Sequence, residues 1–213
     1  MIIEERFVTY VNSLNCKNSD FLDEIEGIAL AKKVPIIRKE TQSLLRILLQ
    51  IKQPKQILEV GTAIGFSALF MEEVNPTESE ITTIENDKNR IAIAHQNFIN
   101  AGKDDLIHLV EGDAQDILLK LNEKYDFIFM DAAKGQYLHF LPLVLQLLKP
   151  GAIIVSDNVL QDGDIIQSRF AVTRRNRTIH KRMREYLYSI THNEELTTTI
   201  LTVGDGIAIS VKK

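Results

Sequence analysis

The sequence predicts an α/β fold with a mostly parallel, seven-stranded sheet, an antiparallel last strand and helices on both faces. From residue 56 onward, short apolar runs alternate with stretches whose apolar residues recur every three or four positions, the pattern of repeated βα units. Two apolar runs joined by Gly204-Asp205-Gly206 close the sequence and are typical of a hairpin, which makes the last strand antiparallel. The first fifty residues carry helical spacing only.

Each element follows from this pattern in order. Apolar spacing at three and four, with Pro35 between the second and third segments, predicts N-terminal helices over 6–14, 21–32 and 41–51. Short apolar runs predict strands over 56–60, 80–84, 106–110, 125–130 and 152–156, and the hairpin adds 197–203 and 207–211. Helical spacing between the strands predicts helices over 66–74, 89–101, 114–121 and 139–148. Because no repeat or flexible linker interrupts the pattern, we expect one domain over 1–213, with 1–52 as an N-terminal helical cap within it.

The composition excludes several classes of protein. With 45% hydrophobic and 25% charged residues, the 213-residue sequence is ordinary for a globular protein. It has no apolar run that could span a bilayer and no signal-peptide pattern, so we expect a cytoplasmic protein without a membrane partner. Cys16 is the only cysteine, which excludes an internal disulfide and a zinc site of several thiolates, and we expect it to be partly buried. The five histidines are scattered and form no zinc or iron pattern.

The net charge of −4 conceals a strongly basic segment. No acidic residue occurs between Ile165 and Arg184. Seven basic residues fall in this interval: Arg169, Arg174, Arg175, Arg177, Lys181, Arg182 and Arg184. The remaining 18 basic and 29 acidic residues leave the rest of the chain at −11. A basic block on an acidic body indicates either a polyanionic partner or a solvated helix face, and charge alone leaves both open.

A ligand pocket is expected beyond the carboxyl ends of the strands, where open α/β sheets bind their ligands. Gly61-Thr62-Ala63-Ile64-Gly65 permits a sharp turn after the first strand, and the helix start with Ser67 suits a carboxylate. Glu85 ends the second strand, where an acid can accept hydrogen bonds from both hydroxyls of a ribose. Gly112-Asp113-Ala114 follows the third strand and could contact an adenine edge.

Two cofactors fit such a pocket in outline. A nicotinamide dinucleotide requires G-x-G-x-x-G, and the Gly61-x-x-x-Gly65 spacing does not provide it. S-adenosylmethionine has a ribose and an adenine but no pyrophosphate, so it does not need the third glycine. The alternative is that these residues only form tight turns and that the acids are incidental. That alternative requires three coincidences at successive strand ends, so S-adenosylmethionine is favoured.

Oxygen ligands for a metal follow the fourth and fifth strands. Asp131 ends one of these strands, and Asp157 and Asn158 end the other. Two carboxylates and an amide oxygen suit Mg²⁺ or another divalent cation such as Mn²⁺, with positions left for water or substrate. Turn formation is the alternative role for an Asp after a strand. The paired strand ends favour the metal.

Three motifs together resemble those of the metal-dependent O-methyltransferases of the catechol and caffeoyl-CoA type. These motifs are Leu58-Glu59-Val60-Gly61-Thr62-Ala63-Ile64-Gly65, Phe129-Met130-Asp131-Ala132-Ala133-Lys134-x-x-Tyr137 and Ser156-Asp157-Asn158-Val159. The resemblance runs from about Val34 to the C-terminus and implies the Rossmann-like fold of class I methyltransferases. It also implies a homodimer.

The resemblance assigns roles to individual residues. It implies that Asp131, Asp157 and Asn158 are metal ligands and that Lys134 is the general base. The implied cofactor contacts are Ile37, Glu59, Gly61, Ser67, Glu85, Ala114 and Asp131. Two departures lie around the cofactor: Ala133 stands where many relatives have an acid, and Ile37 where methionine is common. Neither removes a reactive group.

A narrower resemblance bears on the substrate. Val34-Pro35-Ile36-Ile37, Arg182-Met183-Arg184-Glu185-Tyr186-Leu187 and Thr197-Thr198-Thr199-Ile200-Leu201 look like bacterial enzymes that methylate 5-hydroxyuridine at the wobble position of tRNA. A metal can bind two vicinal oxygens and activate one hydroxyl, and Lys134 can take its proton. Catechol has two such oxygens, and so does 5-hydroxyuridine in its 5-hydroxyl and O4.

Three hypotheses therefore remain: a tRNA methyltransferase, a small-molecule catechol or phenol O-methyltransferase, and a cofactor sensor without catalysis. The acidic set and Lys134 argue against the sensor. An anticodon loop needs the basic segment because phosphate contacts supply much of RNA affinity, whereas a catechol does not need it. Single-stranded bases can also stack on aromatic or Arg side chains, and Phe170 and Tyr186 flank the segment, where core packing is their alternative role. We therefore expect a tRNA anticodon loop to be bound by Arg169, Arg174, Arg175, Arg177, Lys181 and Arg182.

Overall fold

The computed structural model describes residues 4–168 and 170–213. Within these residues the strands are β1 (Gln56–Val60), β2 (Glu80–Glu85), β3 (Ile107–Glu111), β4 (Tyr125–Met130), β5 (Leu148–Ser156), β6 (Leu196–Leu201) and β7 (Ile207–Lys212). The α-helices are α1 (Glu5–Ser13), α2 (Asp20–Ala31), α3 (Lys39–Lys52), α4 (Phe66–Val74), α5 (Lys88–Ala101), α6 (Ala114–Leu118), α7 (Tyr137–Leu147) and α8 (Arg177–Thr191). Two 3-10 helices cover Lys134–Gln136 and Gln161–Ile166.

The seven strands form one sheet in the order β3-β2-β1-β4-β5-β7-β6. The first five strands pair in parallel, and β7 pairs antiparallel with both β5 and β6. The predicted fold class is confirmed, including the antiparallel last strand. The register places Val60 opposite Ile84 on one side and Met130 on the other, so the carboxyl ends of the central strands are level.

Both faces of the sheet are covered because alternate strand residues point to opposite sides. Ile57 and Phe127 join an apolar cluster with α2, α3, α4 and α5, whereas Leu58 and Ile128 join a second cluster with α6, α7 and α8. The cap helices α2 and α3 contribute buried residues to the first cluster. Helix α1 differs, because none of its residues is buried.

The structure revises two element predictions. Strand β5 begins at Leu148, four residues before the predicted start, and Pro150-Gly151 lies within it beside a register shift opposite Tyr125. Helix α8 was not predicted as an element, because charged residues dominate its sequence. Its buried residues nevertheless recur at helical spacing: His180, Met183, Tyr186 and Ile190.

Two further features concern the surface. Cys16 is exposed, so the expectation that it is partly buried is wrong. Among the described residues, every helix is too short or too polar to cross a bilayer.

Candidate active site

The site forms where the carboxyl ends of the central strands meet. Backbone hydrogen bonds continue past the strands, from Gly61 N to Ile84 O at 3.0 Å and from Asp131 N to Val60 O at 3.0 Å. A third bond runs from Asp157 N to Met130 O at 3.0 Å. The residues that follow β1, β4 and β5 are therefore held in one row along the edge of the sheet.

Two glycines make the turn after β1 possible. Gly61 has φ +105°, and a Cβ there would lie 2.2 Å from the carbonyl oxygen of Asp131. Gly65 has φ +83° and begins α4, where a Cβ would lie 2.5 Å from Phe98 Cε1. Any other residue would clash at both positions and strain the backbone. The G-x-x-x-G motif is therefore a requirement of close packing as well as of ligand access.

A cavity of about 470 Å³ opens at this edge, within the usual size range for a small-molecule site. Seven of the eight predicted cofactor contacts line it: Ile37, Gly61, Ser67, Glu85, Asp113, Ala114 and Asp131. The structure thus brings together residues from five separate segments of the sequence.

The eighth residue, Glu59, does not line the cavity. It is fully buried, and its Oε2 accepts a 2.5 Å hydrogen bond from Thr83 Oγ1. Thr83 in turn is 2.5 Å from Thr62 Oγ1, and Thr62 lines the cavity. Among the described residues Glu59 Oε1 has no hydrogen-bond partner. Burial raises the pKa of Glu59 to about 7.

Glu85 is fixed in the cavity wall by backbone donors. Its Oε1 accepts hydrogen bonds from Asn86 N at 2.9 Å and Asp87 N at 3.1 Å, and its Oε2 accepts from Ala63 N at 2.9 Å. The carboxylate is therefore oriented before any ligand binds, as a receptor for ribose hydroxyls requires.

Further cavity residues were not identified from the sequence: Asn86, Arg90, Gln136 and Phe140. Asn86 follows Glu85 directly and could have been found as another residue after a strand. Arg90 and Phe140 reach the cavity from α5 and α7, where helical spacing alone does not reveal a ligand contact.

Asp131, Asp157 and Asn158 meet at the acidic end of the site, as predicted. Asn158 Nδ2 donates to Asp131 Oδ1 at 3.3 Å, and Asn158 N donates to Asp157 Oδ1 at 2.7 Å. Asn158 adopts the left-handed region with φ +61°, which directs its side chain back toward Asp131. Burial, and next the charge of Asp131, raise the pKa of Asp157 to about 8. Burial also raises the pKa of Asp131, opposed by the nearby charge of Lys134.

This set of donors fits a divalent cation. Asp157 is buried and Asp131 is half-buried. Neighbouring carboxylates repel each other when both are ionised, and buried charges are normally paired or bound to metal. The described residues contain no group of three or more His, Cys, Asp and Glu side chains suited to a metal, so the ligands would be two carboxylates and an amide oxygen. Such hard oxygen donors match Mg²⁺ or Mn²⁺ rather than zinc.

Tyr137 braces the acidic end, a role that the sequence did not reveal. Its hydroxyl lies 2.9 Å from Met130 O and 3.1 Å from Asp157 O, so it bridges the ends of β4 and β5. The ring packs edge-on against Tyr186 at 5.4 Å between centroids. Burial raises the pKa of Tyr137 well above its usual value, so the hydroxyl stays a donor.

The turn between β6 and β7 holds the segment after Asn158. Val159 N donates to Gly206 O and Leu160 N to Asp205 O, each at 2.9 Å. Arg38 Nη2, at the start of α3, lies 2.6 Å from Asp205 Oδ1. The cap, the hairpin and the acidic loop are thus linked at one point.

The basic segment lies beside the loop that carries Lys134. Arg182 Nη1 donates to Gly135 O at 3.0 Å, which fixes α8 against this loop. Arg174, Arg175 and Lys181 are exposed, Arg177 and Arg182 are half-buried, and Arg169 lies outside the described residues. The structure therefore places five of the six predicted RNA-binding residues on α8 or the loop before it.

Comparison with known proteins identifies the family. The O-methyltransferase family model matches residues 13–213. A catechol O-methyltransferase from Niastella koreensis is 37% identical over 126 residues, which cover 57% of each chain. The chain therefore spans little more than half the length of that relative.

Two further relatives extend over more of the sequence. A caffeoyl-CoA O-methyltransferase from Populus kitakamiensis is 29% identical over 171 residues, which cover 78% of this chain and 73% of that protein. The structure of an O-methyltransferase from Bacillus cereus in complex with SAH is 26% identical, covers 96% of both chains and superposes with a TM-score of 0.84. The chain belongs to the O-methyltransferase family, of the catechol and caffeoyl-CoA type that its motifs predict.

Proposed function

We propose that this enzyme transfers the methyl group of S-adenosylmethionine to the 5-hydroxyl of 5-hydroxyuridine at the wobble position of a tRNA, giving 5-methoxyuridine. Methyl transfer to oxygen follows from the family. The divalent metal and the tRNA substrate are proposals that rest on the residues of the site.

The cavity offers a complementary group for each part of S-adenosylmethionine. The amino acid portion lies against the Gly61–Gly65 turn and the start of α4, which includes Ser67. Free backbone N–H groups at a helix start attract its carboxylate. Glu85 accepts hydrogen bonds from the ribose hydroxyls. Asp113 and Ala114 border the adenine, and Ile37 covers it from the cap.

Asp131, Asp157 and Asn158 hold the divalent cation in this proposal. When bound, the cation lowers the pKa of a coordinated hydroxyl and orients two vicinal oxygens. A neutral Lys134 accepts the hydroxyl proton in this proposal, since its side chain lies close enough to Asp131 to interact with it electrostatically. Tyr137 keeps the backbone of Asp157 in place. Positioning of the oxygen in line with the methyl group then supplies much of the rate.

One observation carries the choice of tRNA: the hydrogen bond from Arg182 to Gly135 sets the basic face of α8 beside the loop of Lys134. A catechol gains nothing from cations spread over α8 and its preceding loop. An anticodon loop presents phosphates to such cations and an unpaired base to the pocket. The cytoplasm, where tRNA is found, is the compartment that suits this substrate.

A small catechol or phenol is the second candidate. The 37% identity to the Niastella koreensis catechol O-methyltransferase favours it. The acidic end would act on either substrate in the same way.

We also propose a homodimer formed through the N-terminal helices. Phe7, Tyr10 and Val11 of α1 and Ile47 of α3 are large apolar side chains that are each at least half exposed. Apolar side chains on neighbouring helices are typical of a protein interface. Sedimentation velocity on the full chain, with Tyr10→Glu as the disrupting variant, tests this assembly: a monomeric wild type contradicts it.

Methyl transfer from labelled S-adenosylmethionine distinguishes the two substrates. The enzyme is incubated with tRNA that carries 5-hydroxyuridine, with tRNA that carries uridine at that position, and with catechol, each with Mg²⁺ or with EDTA. Mg²⁺-dependent label in 5-methoxyuridine after digestion to nucleosides is expected. Label on catechol alone contradicts the tRNA substrate, and equal label in EDTA contradicts the metal.

A further inference from the structure

Phe170 is conspicuous for its exposure. In the loop between β5 and α8 its side chain is 83% exposed, more than any other large hydrophobic side chain among the described residues. Neither the core nor the cavity uses it. An exposed aromatic ring can gain binding energy from a partner that covers it.

Arg177 forms the second part of the same feature. Its guanidinium lies 5.9 Å from the centroid of the Phe170 ring. Arg177 Nε also donates to Val172 O at 3.3 Å, and Val172 is buried. The aromatic ring of the loop and the planar guanidinium of the first residue of α8 are therefore presented together, and the hydrogen bond to Val172 joins the loop to the helix.

The surroundings are cationic. Arg174 and Arg175 follow in the same loop, are exposed, and form no ion pair within the described part of the chain. The segment that carries them begins after Asn158, at the acidic end of the site, and ends at α8, whose Arg182 donates to Gly135 next to Lys134.

We propose that Phe170 and Arg177 form a stacking platform for an unpaired base of the RNA substrate, adjacent to the base that enters the pocket; this rests on the RNA substrate proposed above. Bases of single-stranded RNA stack on aromatic rings and on guanidinium planes without regard to sequence. Arg174 and Arg175 contact the phosphates on either side. Phe170 thus contributes affinity that is independent of salt, and the two arginines contribute affinity that salt weakens.

Salt dependence separates these contributions. Affinity of the full chain for a 5-hydroxyuridine anticodon stem-loop is measured by fluorescence anisotropy across a range of KCl concentrations. Phe170→Ala is expected to raise Kd about 10-fold, within the ~1–3 kcal/mol of one stacked base, with the slope of log K against log salt unchanged. The double variant Arg174→Ala with Arg175→Ala is expected to reduce that slope by about 1.4 to 1.8, at roughly 0.7 to 0.9 per phosphate contact.

Conservative variants and a matched control test stacking itself. Phe170→Trp is expected to retain affinity and Phe170→Leu to lose it, because leucine keeps apolar area but has no ring face. Arg177→Lys is expected to weaken binding with no change of slope, because it keeps the charge and loses the plane. Tyr188→Ala is the control: Tyr188 is also exposed and stacked, on His192 at 3.9 Å, but lies toward the other end of α8.

Failure of the stacking platform can be distinguished from failure of the proposed RNA substrate. If the wild type methylates the tRNA and Phe170→Ala binds it with unchanged Kd, the platform is wrong and the substrate stands. If Phe170→Leu binds as tightly as the wild type, the contact is apolar and not stacking. If Phe170→Ala changes sedimentation of the free protein, the ring belongs to a protein interface. If the wild type binds and methylates no RNA, the substrate is wrong and the platform falls with it.

Discussion

The acidic end of the site and the basic segment after it are neighbours built in opposite ways. Asp131 and Asp157 are fixed by backbone hydrogen bonds at strand ends, and Asp157 is 3% exposed. Arg174 and Arg175 are exposed on the loop before α8. In the function proposed above, the sheet determines the chemistry, and a surface segment attached to it determines which molecule is brought to that chemistry.

Substitution of Lys134 has the largest expected effect and tests whether the acidic end of the site carries the chemistry. Lys134→Ala is expected to lower kcat by about 10²- to 10⁴-fold for tRNA and catechol alike, because both lose the same general base. Binding of S-adenosylmethionine, measured by calorimetry, should be retained. Lys120→Ala, a change at an exposed lysine remote from the cavity lining, is the control. A loss of activity with tRNA but not with catechol would show that Lys134 contributes to tRNA binding and is not the general base.

The acidic pair can be tested without turnover. Mg²⁺ at about 100 times its Kd should stabilise the wild type by ~2.7 kcal/mol, which is roughly 5–10 °C in Tm for a chain of this size. Asp131→Asn combined with Asp157→Asn should abolish this shift. Because the pKa of Asp157 is raised to about 8, protons compete with the cation below that pH, and the wild-type shift should grow from pH 6 to pH 8. A shift that survives in the double variant would place the cation elsewhere.

Buried Glu59 makes the stability of the folded chain depend on pH. Its folded-state pKa of about 7 exceeds its ordinary value of 4.5, so the folded chain binds the proton more tightly than the unfolded chain. The free energy of unfolding should therefore fall as pH rises from about 4.5 to 7, by about 3 kcal/mol at ~1.4 kcal/mol per pKa unit.

Urea unfolding in EDTA at pH 5 and pH 7.5 measures this difference. Glu59→Gln should reduce the pH dependence without abolishing it, because the raised pKa of Asp157 contributes in the same direction. Glu78→Gln, at an exposed carboxylate, should leave it unchanged. Equal pH dependence in Glu59→Gln and the wild type would assign the effect to other groups.

Tyr137 gives the smallest expected effect. Tyr137→Phe removes a hydroxyl that lies within hydrogen-bonding distance of Met130 O and Asp157 O, at a cost of about 1 kcal/mol in unfolding free energy. The loosened end of β5 should also weaken the Mg²⁺-induced shift in Tm. A fully stable variant with an unchanged Mg²⁺ shift would show that the strand ends need no brace.

Residues at strand ends were predictable from sequence for a physical reason. Parallel strands bring their carboxyl ends together, so Glu85, Asp131 and Asp157 could be placed in one site from their positions alone. Arg90 and Tyr137 could not, because they act from helices and only side-chain direction in the folded chain reveals their contacts.

The basic segment shows what the sequence could not predict about α8. Its charge was evident in the sequence, but α8 was not, because Met183, Tyr186 and Ile190 are separated by charged residues. The distinction between Arg182, which donates to Gly135, and the exposed Arg174 needed the fold.

The most direct test of this division is the ratio of kcat/KM for 5-hydroxyuridine tRNA to kcat/KM for catechol, in the wild type and in the variant carrying Arg174→Ala with Arg175→Ala. We expect tRNA to be strongly preferred by the wild type, and the variant to lose at least tenfold in this ratio at ~150 mM salt with its catechol activity intact. A wild type that prefers catechol, or a variant with an unchanged ratio, would contradict the assignment of substrate choice to the basic segment.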